Sequence, residues 1–362
     1  MFINYNLNRK VTFANQTLGD GLPCFIVYEA GPTHNGLESA KELVKLAAEA
    51  GANAVKFQIF DPDKAISDKN QQFSYDVLVD RETGKTETVT ESLYELTKRR
   101  CLSNNEWKEV KKVADDFGLA FFATVGFEED IALLEELNCD SIKIASSDVN
   151  HLSLIAKAAK TGMCIQLDTG NSTLGEIEKA VEVIEKEGNN RIIIHQCPSG
   201  YPARIPSINL RVIETLRQMF DYPIAYSDHT PDIDMDIAAL TLGANLIEKT
   251  ITKDRTTRSV EHIFSLEPKE MASFIHRIRD VETAFGKPIR LMTDVEKEKR
   301  RMTRRSAHTL NPIKSGEKLT QSNIEFRRPG TGIQPNEIEF FLNRPLNRDI
   351  KDGELLKREY FE

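Results

Sequence analysis

Several charged and hydroxyl-bearing side chains stand where apolar runs end, positions at which an ionised group is rarely mere packing. Glu29 closes the run Phe25-Ile-Val-Tyr-Glu29 and precedes Gly31-Pro-Thr-His34-Asn35-Gly36. Lys56 and Gln58 alternate with apolar residues in Ala54-Val-Lys56-Phe-Gln58, so an extended backbone points both to one side. Lys143 repeats the arrangement in Ser141-Ile-Lys143-Ile-Ala-Ser146-Ser147-Asp148, and another run ends at Thr124. Two such lysines with hydroxyls nearby suit a small molecule that carries a phosphate and a carboxylate. Later runs end in Asp168-Thr169-Gly170-Asn171, Ser199-Gly-Tyr201-Pro202, Ser227-Asp228-His229-Thr230 and Glu248-Lys249-Thr250, followed by Glu261-His262. His229, beside an aspartate at such an end, is a candidate metal ligand or proton shuttle. His151, His276 and His308 sit in helical or peripheral contexts and read as structural.

The elements that must position these residues are short apolar runs alternating with helical stretches. Strand candidates are 25–30, 53–58, 119–124, 141–146, 163–168, 191–196, 223–227 and 245–249. Between them, apolar spacings of three and four mark helices, as at Leu43, Leu46 and Ala47 or Ile177, Val181 and Ile184. Ser103-Asn-Asn-Glu106 and Thr173-Leu-Gly-Glu176 fit capping boxes, and Gly51, Gly118, Gly162, Gly188 and Gly243 fit helix ends. Strict alternation implies parallel strands. A (β/α)8 barrel is favoured over an open doubly wound sheet, because eight units follow one another and no Gly-x-Gly-x-x-Gly follows the first strand. In such a barrel all carboxyl ends of the strands converge on one rim, where chemistry sits.

Residues 1–20 are expected to form an arm or hairpin on the barrel floor, 21–287 the barrel, 288–304 a charged solvated linker and 305–362 a small β-rich domain. The long stretch from Gln58 to Trp107, polar in its middle, is expected to be a loop that covers the site. The net charge of −8 gives no reason to expect nucleic acid as a partner. Five cysteines without a Cys-x-x-Cys pair read as free buried thiols of a reducing cytoplasm. No signal peptide or membrane-length apolar run is evident, so a cytoplasmic protein without a membrane anchor is expected. No Gly-x-Ser-x-Gly, Walker loop or His-Glu-x-x-His occurs, whereas a Schiff-base aldolase built on Lys56 or Lys143 stays open on these residues alone.

The ordered set Glu29-Ala-Gly-x-x-His34-Asn-Gly36, Gly51-Ala-x-x-Val-Lys56-x-Gln58, Lys143-Ile-x-Ser146, Thr169-Gly170, Cys197-x-x-x-Tyr201-Pro and Ser227-Asp-His229-Thr230 resembles the sialic acid synthase family. Arg327-Arg328-Pro329-Gly330-Thr331-Gly332 resembles the signature of the antifreeze-like (SAF) domain. The resemblance covers nearly the whole chain. It implies condensation of phosphoenolpyruvate with an N-acetylmannosamine-like or otherwise modified acetamido sugar, giving a sialic or related nonulosonic acid and phosphate. Lys56, Thr124, Lys143, Ser146, Tyr201 and Ser227 would hold phosphoenolpyruvate. Glu29, Gln58, Asp148, Tyr201 and Glu261 would face the sugar, and Arg328 would reach a partner's barrel in a domain-swapped homodimer. Glu29, Lys56 and Lys143 would be catalytic, and a divalent ion, Mn or Mg, would polarise the sugar aldehyde.

The chain departs from that pattern at several places. Thr250 stands where family members carry a second metal-binding histidine, which leaves His229 to pair with His262 or Glu261, to hold an ion through water, or to act without one. Asp168 replaces a common serine, and a carboxylate there would repel an anionic substrate unless it bound the ion or turned outward. Ser199 and Asp148 replace asparagine and glutamate of some members. These changes bear on the acceptor sugar, and they also motivate a third reading, a sugar-binding barrel with altered catalysis.

Overall fold

The structure, a computed structural model, describes residues 9–361, so residues 1–8 of the expected arm lie outside it. The backbone divides after Phe285 into two compact units. In the first, β1 (Lys10–Phe13) and β2 (Gln16–Gly19) form an antiparallel hairpin, followed by β3 (Phe25–Glu29) and β4 (Ala54–Gln58). Next come β5 (Gln72–Asp80), β6 (Lys85–Ser92), β7 (Ala120–Val125), β8 (Ser141–Ile144), β9 (Cys164–Asp168), β10 (Ile192–Gln196), β11 (Ile224–Asp228) and β12 (Leu246–Thr250). Eight of these strands close a barrel in the order β10-β11-β12-β3-β4-β7-β8-β9. Every adjacent pair is parallel. The expected strands agree with the observed ones to within two residues.

Side-chain alternation explains how one barrel carries both a core and a site. One set, among them Ile26, Tyr28, Ile142, Ile144, Ile165 and Leu167, is buried under the surrounding helices. The other set points inward and begins with an apolar floor of Phe25, Val27, Ala54, Phe122, Ile193 and Leu246. Val11, Phe13 and Leu18 of the β1–β2 hairpin plug that floor, with the Phe13 ring 5.0 Å from Phe25 and 6.0 Å from Phe122. Burying each such ring contributes roughly 1.5–3 kcal/mol. Two residues further along each strand the inward positions turn polar, so the floor becomes the base of a charged cup.

The helices are fixed by the local signals in the sequence. Ser103 and Glu106 satisfy each other's backbone N–H groups before the helix Asn104–Asp116, and Thr173 and Glu176 do so before Leu174–Lys186. The stretch expected as a covering loop is instead mostly ordered: β5 and β6 pair as an antiparallel hairpin, flanked by the short helices Pro62–Ala65 and Leu93–Lys98. Tyr75, Val77 and Val89 of the hairpin pack with Leu96 and Val260 into a small core of their own. That packing gives one face of an otherwise polar ribbon something to bury.

The second unit begins with a charged helix, Asp294–Thr303, which buries no side chain. The strands β13 (Ser306–Thr309) and β14 (Ile324–Arg327) pair antiparallel, and Ala307, Ile313, Leu319, Ile333, Leu346 and Leu356 belong to its core. All five cysteines are free; Cys101 is exposed rather than buried as expected, and the other four are buried. Among the described residues no helix is long and apolar enough to cross a membrane.

Candidate active site

Strand register sets the site. Thr250 lies opposite Glu29, Glu29 opposite Lys56, Gln58 opposite Thr124, Thr124 opposite Lys143, and Asp168 opposite His195. Five charged side chains consequently meet at the carboxyl ends of five strands. Lys56 pairs with Glu29 and with Glu248, whose Oε1 lies 2.6 Å from Nζ. Lys143 pairs with Glu248 Oε2 at 2.8 Å and Asp168 Oδ1 at 3.0 Å. Ser227 Oγ donates to Glu248 Oε1 at 3.0 Å. Glu248 thus bridges both lysines, a role the sequence did not single out.

Beneath the lysines runs a hydrogen-bonded chain of neutral groups. Lys143 Nζ is 3.1 Å from His195 Nδ1, and His195 Nε2 is 3.0 Å from Gln166 Oε1. The ammonium can only donate and the amide oxygen only accept, so Nδ1 is the acceptor and Nε2 carries the proton. Gln166 in turn donates to Ser141 Oγ at 2.9 Å, and Ser141 donates to the Cys164 carbonyl at 2.9 Å. Burial and the Lys143 charge keep His195 neutral, its value well below the usual imidazole one. Burial opposes the charge on Lys143, but Asp168 and Glu248 outweigh it and hold the ammonium above its ordinary value. Burial likewise acts against the Glu248 charge, yet Lys143 and Lys56 pull this carboxyl well below its usual range. Asp168 goes the other way: burial, aided by Glu248, raises it despite Lys143. It neither turns outward nor stands free for an ion, the two arrangements expected for it.

Above the cup opens a cavity of about 840 Å³. Glu29, Lys56, Gln58, Thr124, Ser146 and Asp148 line it, and so do Asp168, Tyr201, Ser227, His229, Glu248 and Glu261. Lys143 is fully buried below and does not reach the lining. The wall opposite the barrel comes from the β5–β6 hairpin through Phe73, Ser74, Tyr75 and Asp76. His151, read as structural, also lines the cavity, whereas His276 lies on the surface beside Asp280 and His308 is in the second unit. Arg100 contributes from the segment after the hairpin and was not foreseen, because an Arg-Arg pair outside any strand carries no periodic signal.

Two glycines make the close approaches the cup needs. A Cβ on Gly31 would lie 2.6 Å from Glu29 Oε1 and 2.7 Å from the Gln58 backbone nitrogen. The Gly31 N–H instead donates to Glu29 Oε1 at 2.5 Å and fixes that carboxylate. A Cβ on Gly170 would meet the Cys197 carbonyl at 2.9 Å and Ser146 at 3.3 Å.

The donor set for a divalent ion is sparse. His229 Nδ1 is 3.2 Å from the Pro198 carbonyl, which can only accept, so Nε2 keeps a lone pair. Burial lowers His229 to about 4, so the ring is neutral, and it lies 4.4 Å from the Tyr201 ring. Thr250 offers a hydroxyl, a poor partner for Mn or Mg. Of the two residues suggested as second ligand, His262 is turned to Thr252 Oγ1 at 2.7 Å and is absent from the cavity lining, whereas Glu261 lines the cavity with His229. Among the described residues no group of three or more His, Cys, Asp or Glu could hold a metal. These residues do not fit an ion caged by protein ligands. Arg328 belongs to the second unit, following β14.

A closed parallel barrel with ionised groups gathered at the carboxyl ends of its strands defines a (β/α)8 protein with a rim-sited cup. The chain belongs to the NeuB family, whose model matches residues 43–290, and a SAF-domain model matches residues 304–361. It is 34% identical to N,N'-diacetyllegionaminic acid synthase of Campylobacter jejuni subsp. jejuni, over 92% of this chain and 98% of that protein. It is 31% identical to the protein of the same name from Legionella pneumophila, over 98% of this chain and 99% of that one. A crystal structure of N-acetylneuraminic acid synthetase from Leptospira borgpetersenii, in complex with citrate, matches with a TM-score of 0.70 at 29% identity, over 82% of this chain and 96% of that one.

Proposed function

We propose that this protein condenses phosphoenolpyruvate with an open-chain acetamido sugar to give a nonulosonic acid and phosphate. The observation that carries the reading is the shared Lys56–Glu248–Lys143 cluster below a rim cavity, a cationic pair held in place by a fixed carboxylate. Relatives named for diacetylated and acetylated products support an acetamido acceptor. In the reaction the enol carbon forms a C–C bond to the aldehyde carbon, whose oxygen takes up a proton. Water adds to the resulting oxocarbenium carbon and loses a proton. The tetrahedral intermediate then breaks its C–O bond and releases phosphate.

Each role follows from the chemistry of the side chain. Lys56, with Thr124, Ser146, Tyr201 and Ser227 on the same wall, orients the phosphate and carboxylate of phosphoenolpyruvate; Lys143 acts from below as a fixed charge. Glu29, anchored by the Gly31 amide, takes the proton of the incoming water. Gln58, Asp148 and Glu261 face the sugar, and Arg328 completes the site from a partner copy of a domain-swapped homodimer. The N-terminal arm, barrel, linker and SAF segments follow the 1–20, 21–287, 288–304 and 305–362 division, and the reaction takes place in the cytoplasm. A Schiff base on Lys143 fits poorly, since it is held protonated between two carboxylates, and Lys56 is itself ion-paired to Glu29 and Glu248.

The test mixes phosphoenolpyruvate, labelled with ¹⁸O at its bridging oxygen, with a panel of acetamido sugars. Phosphate release dependent on both reactants, carrying the label, supports the reading. No release with any sugar, or a borohydride-trapped pyruvate adduct on a lysine, overturns it.

A further inference from the structure

The proposed reaction leaves one proton without a donor, the one the phosphate carries away. When the C–O bond of the tetrahedral intermediate breaks, its electron pair passes to the bridging oxygen, and a proton supplied there eases the departure. Glu29 serves the incoming water and stands at the end of β3. Around the closed barrel the strands run β3-β4-β7-β8-β9-β10-β11-β12, which places β9 four strands from β3 in either direction. Asp168 at the end of β9 therefore stands across the cup from Glu29, and both line the cavity. Each has one lysine against it, Lys56 beside Glu29 and Lys143 beside Asp168.

The two carboxyls are held differently. Glu29 accepts the Gly31 N–H, which anchors it as a carboxylate. Asp168 Oδ1 is buried without a hydrogen-bond partner; Lys143 meets it at 3.0 Å as an ion contact but donates to Glu248 and accepts His195 Nδ1 as its other partner. Fully ionised, Glu29, Glu248 and Asp168 outnumber Lys56 and Lys143 at the base of the cup. A substrate carrying phosphate and carboxylate adds negative charge and so favours a proton on one of the three carboxyls. Glu248 is shared by both lysines and Ser227, and Glu29 has the amide, which leaves Asp168 to take it.

The groups around Asp168 agree with this. Lys143 faces it from β8, Lys56 from β4, Glu248 from β12 and His195 from β10 at 3.8 Å, with Cys197 and Tyr201 beyond the end of β10. His195 is neutral, and burial with Glu248 raises the Asp168 carboxyl against both lysines. Asp168 also stands where the phosphate is to be oriented, because Gly170, two residues on, abuts Ser146 so closely that a Cβ would lie 3.3 Å from it.

We propose that Asp168 donates the proton to the departing phosphate, opposite Glu29; this rests on the proposed synthase reaction and deepens it. Glu29 takes the first proton of the attacking water. Asp168 then protonates the bridging oxygen as the C–O bond breaks. The hydroxyl left on that carbon gives up its remaining proton as the C=O bond forms, and this proton restores Asp168. The proton on Glu29 balances the one taken up by the aldehyde oxygen, so no further reactant is needed. One acid and one base in unlike surroundings divide the two proton transfers.

The experiment uses the full chain, phosphoenolpyruvate labelled with ¹⁸O at its bridging oxygen, and the acetamido sugar that the unmodified protein turns over. Asp168→Asn should lower kcat on the order of 10²-fold or more without raising KM for phosphoenolpyruvate. In the unmodified protein kcat should fall on the alkaline side as Asp168 loses its proton, and the residual kcat of Asp168→Asn should lack that fall. In a single turnover stopped by rapid quench, Asp168→Asn should consume phosphoenolpyruvate ahead of phosphate release, whereas the unmodified protein keeps the two in step. Asp168→Glu, which keeps a proton to give, should regain the alkaline fall and covers an asparagine variant that does not fold. A kcat for Asp168→Asn close to that of the unmodified protein, an alkaline fall retained in that variant, or phosphate keeping pace with phosphoenolpyruvate in it overturns the role of Asp168 alone. No labelled phosphate from the unmodified protein with any sugar overturns the synthase reaction and this role with it.

Discussion

Lys143 Nζ lies 3.0 Å from Asp168 Oδ1, so an ammonium proposed to attract an anionic substrate already has a buried carboxylate against it. The pairing follows from alternation, since Gln166 and Asp168 both point inward from β9 and Gln166 lies opposite Lys143 in the register. Phosphoenolpyruvate entering this cup meets the field of Asp168 as well as that of the lysines.

The consequence is a pH dependence of substrate binding. Burial raises the Asp168 carboxyl above the ordinary carboxylate value, and the neutral form favours an incoming anion. As pH rises through that raised value the proton is lost and phosphoenolpyruvate binds less tightly. Asp168→Asn should remove this term and lower KM for phosphoenolpyruvate at pH 8 by roughly tenfold, about 1.4 kcal/mol. The measurement is KM against pH for both proteins, which cancels titration of the substrate itself. Parallel profiles sink the assignment.

A second buried ammonium serves stability. Lys249 is 1% exposed, pairs with Asp228 and with Asp236 at 3.1 Å, and donates to the Thr230 carbonyl at 2.8 Å. It points out of the barrel, away from the cup. Lys249→Met leaves two buried carboxylates unpaired and should cost ~3–5 kcal/mol in urea unfolding. Burial and the Asp228 charge already raise the Asp236 carboxyl against the pull of Lys249, and without the lysine it rises further, so the folded variant binds a proton more tightly than the unfolded chain. The deficit should therefore shrink as pH falls from 8 to 5. A deficit independent of pH would falsify this account.

Metal binding is expected to be weak. His229 contributes one neutral imidazole nitrogen, and neither Thr250 nor His262 adds a second near it. Mn²⁺ titrated without substrates, followed by electron paramagnetic resonance, should give a Kd no tighter than about 10⁻⁴ M. His229→Ala should then change that binding only slightly. A micromolar Kd abolished by His229→Ala would reveal ligands that this arrangement does not supply.

The barrel was legible because every one of its strands is an apolar run bounded by turn and cap signals. Glu29, Lys56 and Lys143 were legible because each is a lone charge in such a run. Glu248 follows the same rule but is succeeded by Lys249, and two adjacent charges hide which of them faces inward. Only the register shows that Glu248 points to Lys56 and Lys143 while Lys249 points to Asp228 and Asp236. The β5–β6 hairpin was missed because most of its side chains are exposed, and its few buried ones find partners only in the folded unit. Arg100 was missed for the same reason: its burial is tertiary, with no local pattern to announce it.

Gly31 offers the most direct test of the cup as a whole. The residue has no room for a side chain, because a Cβ would stand 2.6 Å from Glu29 Oε1 and 2.7 Å from the Gln58 backbone nitrogen. The carboxylate is the softer obstacle and would swing away, losing the Gly31 N–H and its position against Lys56. Gly31→Ala should therefore lower kcat on the order of 10²-fold, the penalty of a displaced catalytic group, while circular dichroism stays native. KM for the sugar should rise too, since Gln58 lines the same wall. If Gly31→Ala kept full activity, Glu29 could not be the group that handles the proton, because its carboxylate cannot keep its place beside a methyl group.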